Sequence, residues 1–475
     1  MEKVRNSILQ ANVICSELDE KDPRKILDEE EYTGTCFQVN PFFLKALPFF
    51  KEENKYFITN FHVCDDANNR TIYMRTAPMG KSMFTTKVEA VVPKLDIAIL
   101  SISPTQEHSK WFSNDNPSDI LNNLDVLDLY AKRITNQTRK VSTIGFPHGL
   151  QNQLSSGWLA GRGSDEEDML ELNLSLNPGN SGGPLVDEKN RVIGVCCSTL
   201  GCAEAISFAV PSYCVIKYFQ NFYTGPYGLF PKFGIKTIPM TPAYGKVHKI
   251  QGSGAVVRTV HPLSVYQGTI KPGDVIHSIN DRQLDCFGLM KDETRGCKIT
   301  IDTTEFILGL EKCKIKVSTK SRTRIVNQMP QPMHLKVTDH FKEWCPLKVA
   351  AFGPFIFTNL SKTSLADDSS MPLLKRLKLA ELVRKTHSAE EIVIITKIDP
   401  NSYVASFENP AEYDQLIRIN RTKIKSIEHL RTVVEDVRTM QANGEKYFSI
   451  TTSSGEMWFT IDKVLGKIKK RKRGH

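Results

Sequence analysis

The chain has 475 residues, 40% apolar and 24% charged, which predicts roughly three domains of ~150 residues with cores of their own. No apolar run reaches ~18 residues, so no membrane span is expected. The polar start, Met1-Glu2-Lys3-Val4-Arg5-Asn6, lacks the apolar core of a secretory signal. Eleven scattered cysteines without a Cys-x-x-Cys pair predict no disulfide framework and no metal site, and suit an intracellular, reducing compartment, cytoplasmic or nuclear. Of the net charge of +9, seven positive charges lie between Lys463 and His475, leaving +2 for the rest. That body does not read as a nucleic-acid binder. The basic tail, 467–475, reads as a nuclear-localisation signal, a polyanion-binding arm or a solvated end.

Residues 1–31 are polar, with one amphipathic stretch around Ile8 to Leu18 that suits a short helix or a strand. From Tyr32 to about 222 the texture is all-β. Short apolar runs recur at 34–39, 56–60, 87–92, 97–100, 141–145, 170–174, 192–195 and 206–210. Turn residues between them predict a barrel or sandwich. Short helical turns are expected near 118–124 and after Pro211. The loop Pro41-Phe42-Phe43-Leu44-Lys45-Ala46-Leu47-Pro48-Phe49-Phe50 is apolar for a surface loop. It is read either as docking on another subunit or domain, or as folded onto its own barrel.

Three polar residues interrupt this pattern. His62 follows the run Tyr56-Phe57-Ile58-Thr59-Asn60-Phe61, Asp96 opens Ile97-Ala98-Ile99-Leu100, and Ser181 sits in Asn177-Pro178-Gly179-Asn180-Ser181-Gly182-Gly183-Pro184. A hydroxyl is a weak nucleophile until a base takes its proton. Glycines let successive N–H groups converge on one spot, as an oxyanion hole requires. An aspartate beside an apolar strand needs a polar partner. A histidine in the same chain supplies both the base for Ser181 and the partner for Asp96.

Together, Thr59-Asn60-Phe61-His62-Val63, Leu95-Asp96-Ile97-Ala98-Ile99-Leu100 and Asn177 to Leu185 resemble the HtrA/Deg (Do-like) branch of chymotrypsin-like serine proteases. Gly145-Phe146-Pro147-His148-Gly149-Leu150 and Ser207-Phe208-Ala209-Val210-Pro211-Ser212 agree with it. The resemblance implies a chymotrypsin-like double β-barrel over 32–222. It implies Ser181 as nucleophile, His62 as base and then acid, and Asp96 as orienter. It places the oxyanion hole on the N–H groups of Gly179 and Ser181. It assigns Ser175, Leu176, Asn177, Pro178, Ile206 and Phe208 to the substrate pocket. Leu176 and Ile206 then favour a small-to-medium apolar substrate side chain.

Beyond the protease region, Phe233-Gly234-Ile235, the strand Gly254 to Val260 and Ile270-Lys271-Pro272-Gly273-Asp274-Val275-Ile276 resemble a PDZ domain over 229–320. By that likeness Phe233, Gly234 and Ile235 bind a peptide carboxylate, and the peptide adds as a strand. Asn327 to Pro332 reads as part of a linker over 321–350. Residues 351–466 resemble a second PDZ-like domain. Its Phe352-Gly353-Pro354-Phe355 echoes the carboxylate-binding motif but with a proline that has no N–H to donate. Helices are expected over 372–385 and 426–440, and strands over 391–398, 414–420 and 447–451. The chain is therefore expected to be mostly β, a chymotrypsin-like double β-barrel followed by two α+β PDZ-like domains. The arrangement most resembles the nuclear two-PDZ Deg proteases. The resemblance implies an ATP-independent endopeptidase without cofactors. It acts on unfolded or exposed protein segments as a trimer or multiple of trimers, and its activity is conditional on peptides or partners bound elsewhere. The rival readings are a catalytically silent protease-fold chaperone or peptide-binding scaffold, and a narrow-specificity processing protease.

Overall fold

The computed structural model describes residues 1–18, 26–64, 70–76, 83–103, 117–134, 139–147, 153–162, 169–199, 206–292, 297–299, 312–320, 322–333, 348–361, 371–385, 391–407 and 410–466. The chain divides into two compact units. One holds 1–14, 31–66 and 70–334, and the other holds 15–30, 67–69 and 335–475. Among the described residues no helix is long and apolar enough to cross a membrane.

The first unit begins with two β-bodies, and two strands of the first body, Ile8–Leu18 and Ile26–Gln38, run on past the unit's own residues at 15–18 and 26–30. Strands β1 (Ile8–Leu18), β2 (Ile26–Gln38), β3 (Lys55–Thr59), β4 (Arg70–Thr76), β5 (Met83–Thr85), β6 (Lys87–Val92) and β7 (Ile97–Ile102) form a seven-stranded sheet. Its order is β5-β4-β1-β2-β3-β7-β6. The amphipathic N-terminal stretch is thus a strand, and Ile8, Leu9, Ala11 and Val13 are buried. The second body is a closed barrel, β10-β13-β12-β11-β8-β9. Its strands are β8 (Arg139–Gly145), β9 (Gln153–Arg162), β10 (Leu170–Asn173), β11 (Pro184–Asp187), β12 (Val192–Thr199) and β13 (Ile206–Pro211). Helices Pro117–Asn122 and Ser212–Asn221 stand where the sequence predicts them. One hydrophobic core runs through both bodies, joining Phe37, Tyr56, Ile58 and Ile99 to Ile144, Val186, Val195 and Phe219.

The apolar loop after β2 folds onto its own barrel. Phe43 and Leu44 are buried, and Leu47, Phe49 and Phe50 pack against the shared core. Phe50 stacks on Tyr56 with centroids 5.5 Å apart, and Phe49 meets Tyr223 edge-on at 5.5 Å. Only Phe42 of its aromatics is left exposed, so the docking alternative loses its apolar surface.

The rest of this unit is a smaller β-module. Ile235–Pro239, Ala255–Val260, Val275–Ile279, Cys313–Thr319 and Arg322–Gln328 pair in chain order into one sheet, and Arg282–Gln283 pairs onto Val275–Ile279. The sequence reads 327–332 as linker, and the structure corrects this. Arg322–Gln328 pairs with Cys313–Thr319 over seven residues, and Gln331–Pro332 pairs with Pro231–Lys232. The polar, proline-containing sequence hides an edge strand, where proline and charge are tolerated. Phe230 sits in the protease core with Met329 packed against it, so both ends of the module are seated there. Part of the charged stretch 290–304 lies outside the described residues.

In the second unit, Val349–Phe352, Phe355–Asn359 and Val393–Ile398 form one sheet. Leu416–Ile419, Thr422–Lys423, Tyr447–Thr452 and Gly455–Thr460 form another, in which Leu416–Ile419 lies between Thr422–Lys423 and Tyr447–Thr452. Helices span Leu373–Lys385 and Ile427–Ala442, the second capped by the Ser426 hydroxyl, which accepts from His429 N–H. Phe352-Gly353-Pro354-Phe355 is a two-residue hairpin turn, with Phe352 opposite Phe355. Gly353 takes a positive φ of 56°, and both phenylalanines are fully buried. The motif shared with Phe233-Gly234-Ile235 is therefore turn chemistry and core packing, and the proline stands where a turn tolerates it.

Candidate active site

Asp96 and His62 meet at the end of the first sheet. Asp96 caps the 3-10 turn Pro93–Leu95 in left-handed conformation, φ 53°, just before β7. Its main chain is held by Asn60, whose Nδ2 donates to Asp96 O at 3.0 Å. His62 lies on the short helix Phe61–Cys64 that follows β3, not at the strand end itself. Asp96 Oδ1 accepts the His62 backbone N–H at 2.9 Å, and Oδ2 lies 2.8 Å from His62 Nδ1. One carboxylate thus fixes both the main chain and the ring of the histidine. The pair is half-open, with side-chain exposures of 48% for His62 and 26% for Asp96. Among the described residues the other ring nitrogen, Nε2, has no partner, so the arrangement leaves a base facing outward.

Ser181 comes from the second body, on the turn between β10 and β11. Asn180 N–H donates to Asn177 O and Gly183 N–H to Asn180 O, both at 3.0 Å. Two glycines here have positive φ, Gly179 at 102° and Gly182 at 86°. A Cβ on Gly182 would collide with Thr35 O and Thr59 Oγ1, and one on Gly179 with Phe146 O. The serine turn is therefore pressed against Thr59, three residues before His62. Thr35 joins the layers: its N–H donates to Ser181 O at 2.8 Å, and its Oγ1 donates to Gly179 O at 2.6 Å. The three sequence-predicted residues thus come from the two sheets.

The Ser181 hydroxyl is engaged by a main-chain carbonyl. It donates to Cys197 O, on β12, at 3.0 Å. Cys197 Sγ in turn reaches Phe208 O at 3.3 Å. Sequence reasoning missed Cys197, because a backbone carbonyl acts here and side-chain identity carries no signal for it. Cys196 beside it is no rival nucleophile: burial pushes its thiol up to about 12. Among the described residues the amides of Gly179 and Ser181 have no acceptor, so both remain available to an oxyanion.

The predicted pocket residues divide. Leu170, Leu172, Leu174 and Leu176 are buried, while Asn173, Ser175 and Asn177 are exposed. This is strand alternation continued past β10. Leu176 is buried and belongs to the barrel core. Ser175, Asn177 and Pro178 are open to solvent, Ile206 and Phe208 are half-buried, and Ser207 Oγ ties the two strands by donating to Leu174 O at 2.8 Å. Positions 148–152 and 200–205, which flank this region, lie outside the described residues. In the smaller module Phe233 is buried and stacks on Tyr266 at 5.7 Å, Gly234 takes φ 64°, and Ile235 opens the strand at the end of its sheet. Among the described residues there is no cluster of metal-ligating side chains.

Residues 34–195 match the family model described as a trypsin-like peptidase domain, and the fold of this part is chymotrypsin-like. Its relatives are Do-like and HtrA serine proteases. The chain is 25% identical over 291 residues to chloroplastic Protease Do-like 2 of Arabidopsis thaliana, covering 58% of this chain and 46% of that protein. It is 24% identical to the putative mitochondrial Protease Do-like 3 of the same plant, over 98% of this chain and 78% of the relative. The chain thus spans about half the length of the first of these relatives. Among solved structures, the HtrA-type protease AlgW with decapeptide aligns with TM-score 0.46 and 19% identity, over 70% of this chain and 97% of its own.

Proposed function

We propose that this chain is a serine endopeptidase of the HtrA/Do type. The observation that carries the reading is the Asp96–His62 pair, 2.8 Å apart, beside the glycine turn that presents Ser181. Ser181 gives its proton to His62 Nε2 and attacks a peptide carbonyl. The amides of Gly179 and Ser181 receive the oxyanion, and Asp96 holds the imidazolium. His62 then protonates the leaving amine, and water releases the acyl-enzyme by the same route. Unfolded or exposed protein segments are the substrates, with a small-to-medium apolar residue before the cleaved bond. The place of Ile235–Pro239 at the end of its sheet among the described residues supports peptide addition as a strand, and through it regulation by bound peptides. Assembly into trimers and a nuclear or cytoplasmic site belong to the same proposal.

The test is hydrolysis of casein by the full chain and by Ser181→Ala. Loss of turnover on the order of 10⁴-fold or more, with an unchanged thermal melt, supports the reading. Equal activity of the two refutes it. One observation favours the silent-scaffold alternative, the engagement of the Ser181 hydroxyl by Cys197 O. That alternative predicts no turnover by either protein under any condition, with peptide binding intact.

A further inference from the structure

The β-module after the protease body carries a basic cavity of about 400 Å³ that the catalytic reading does not use. It is lined by Lys249, Lys316 and Lys320, with His277, Ser318 and Thr323 among its other walls. Among the described residues no acidic one lines it, and none of the three lysines has an ion-pair partner. Three lysines therefore line one space with no acidic side chain among its described walls, although the module has acids elsewhere that pair with other lysines, such as Asp281 with Lys314 and Asp285 with Lys298.

The wall behind them is built. The pairing of Val275–Ile279 with Cys313–Thr319 shifts register between Ile276 and Ser278, and a bulge of this kind re-aims the side chain at its centre. That side chain is His277, buried at 6% exposure. Its Nδ1 lies 2.6 Å from Ser253 O and its Nε2 2.8 Å from Ser318 Oγ, which is itself 2.8 Å from Thr323 Oγ1. The row is fixed before any ligand arrives.

Two of the lysines occupy backbone positions that the fold alone would give to glycine or asparagine. Lys249 has φ 55° and Lys320 φ 51°. Lys249 ends the helix Pro242–His248, and Lys320 follows the strand Cys313–Thr319. A side chain in this region costs on the order of 1 kcal/mol over glycine. Such positions point to function when the residues placed there line one cavity.

We propose that this cavity binds a small multiply phosphorylated molecule. A single monoanion would leave two ammonium groups uncompensated, and the volume accommodates a ligand far larger than one phosphate group. All three cations are lysines. As compact point charges they suit phosphate, whereas planar carboxylates are best gripped by the arginine fork.

The probe is sodium triphosphate, titrated calorimetrically into the full chain at fixed ionic strength, with citrate as a carboxylate of similar charge. The variant is Lys249→Gln/Lys316→Gln/Lys320→Gln. The control, Lys132→Gln/Lys140→Gln/Lys189→Gln, removes the same charge from the exposed surface of the protease body and leaves the basic tail in place. The expected result is one saturable triphosphate site per chain, at least tenfold tighter than citrate. It should be lost in the cavity variant and retained within about twofold in the control. Equal weakening in both variants means diffuse attraction to net charge and overturns the proposal. So does equal affinity for citrate, or the absence of a saturable site.

Discussion

The Ser181 hydroxyl donates to the Cys197 carbonyl oxygen at 3.0 Å, while His62 is already held by Asp96 at 2.8 Å. Half of the proposed catalytic arrangement is assembled and half is diverted. A single hydrogen bond of this kind has a net worth of about 1 kcal/mol, so little free energy holds the Ser181 hydroxyl on the Cys197 carbonyl. The diversion is within the reach of substrate binding, which brings a new hydrogen-bonding carbonyl to the Gly179 and Ser181 amides. A complete set of side chains and a low resting activity are thus compatible.

Asp96 grips His62 twice, through the backbone N–H and through Nδ1. Asp96→Asn keeps the shape of the side chain but removes the charge and presents an amide that can point an N–H at the ring. The wrong imidazole tautomer then faces Ser181. We expect kcat on casein to fall on the order of 10³- to 10⁴-fold, with the melting temperature nearly unchanged because the site is half-exposed. Activity within tenfold of the parent would remove Asp96 from the mechanism.

Gly179 has φ 102°, and a Cβ there would strike Phe146 O. Gly179→Ala therefore forces the turn to move at the point that presents one of the two oxyanion amides. A loss of about 1–3 kcal/mol in stability is expected from the backbone strain, together with a fall in kcat on the order of 10²- to 10³-fold. Denaturant unfolding and initial-rate kinetics separate the two effects. A variant with parental kcat would show that the Gly179 amide does not serve the reaction.

Much of this site is legible in the sequence because its residues stand where local rules fail. His62 and Asp96 interrupt apolar strands, and Gly179 and Gly182 bracket Ser181 at positions with positive φ. Each anomaly has a physical reason that the other two supply. What escaped is of another kind. Cys197 acts through its carbonyl, which every residue has. The burial of Leu176 in the barrel core follows from strand alternation continued past Asn173, beyond the run that reads as a strand. Phe352-Gly353-Pro354-Phe355 repeated a motif by composition, while its pairing across a two-residue turn was decided by strands on both sides. Arg322–Gln328 read as linker because an edge strand tolerates the polar residues that a linker also favours.

The second unit supplies a test by pH. Asp414 is 2% exposed. Burial alone would raise its carboxyl, but hydrogen bonds from Lys375, Ala411 N–H and Ser454 outweigh that and hold it below the ordinary carboxylate range. Lys375 Nζ lies 2.7 Å from Asp414 Oδ1, and Ser454 Oγ donates to the same oxygen at 2.7 Å. A carboxyl depressed on folding binds protons more readily in the unfolded chain. Its stabilisation is therefore complete above the unfolded value of about 4 and is lost as pH falls through the lower folded value. We expect the melting temperature of this unit to be flat from pH 7 to about 5 and to fall steeply below about 4. Lys375→Met leaves a buried carboxylate without its cation, a loss on the order of 3 kcal/mol at pH 7, and shrinks the acid-dependent drop. Thermal melts of both proteins between pH 3 and 7, followed by a probe confined to residues 348–466, check this. Parallel pH profiles would show that the Asp414 charge does not stabilise the fold.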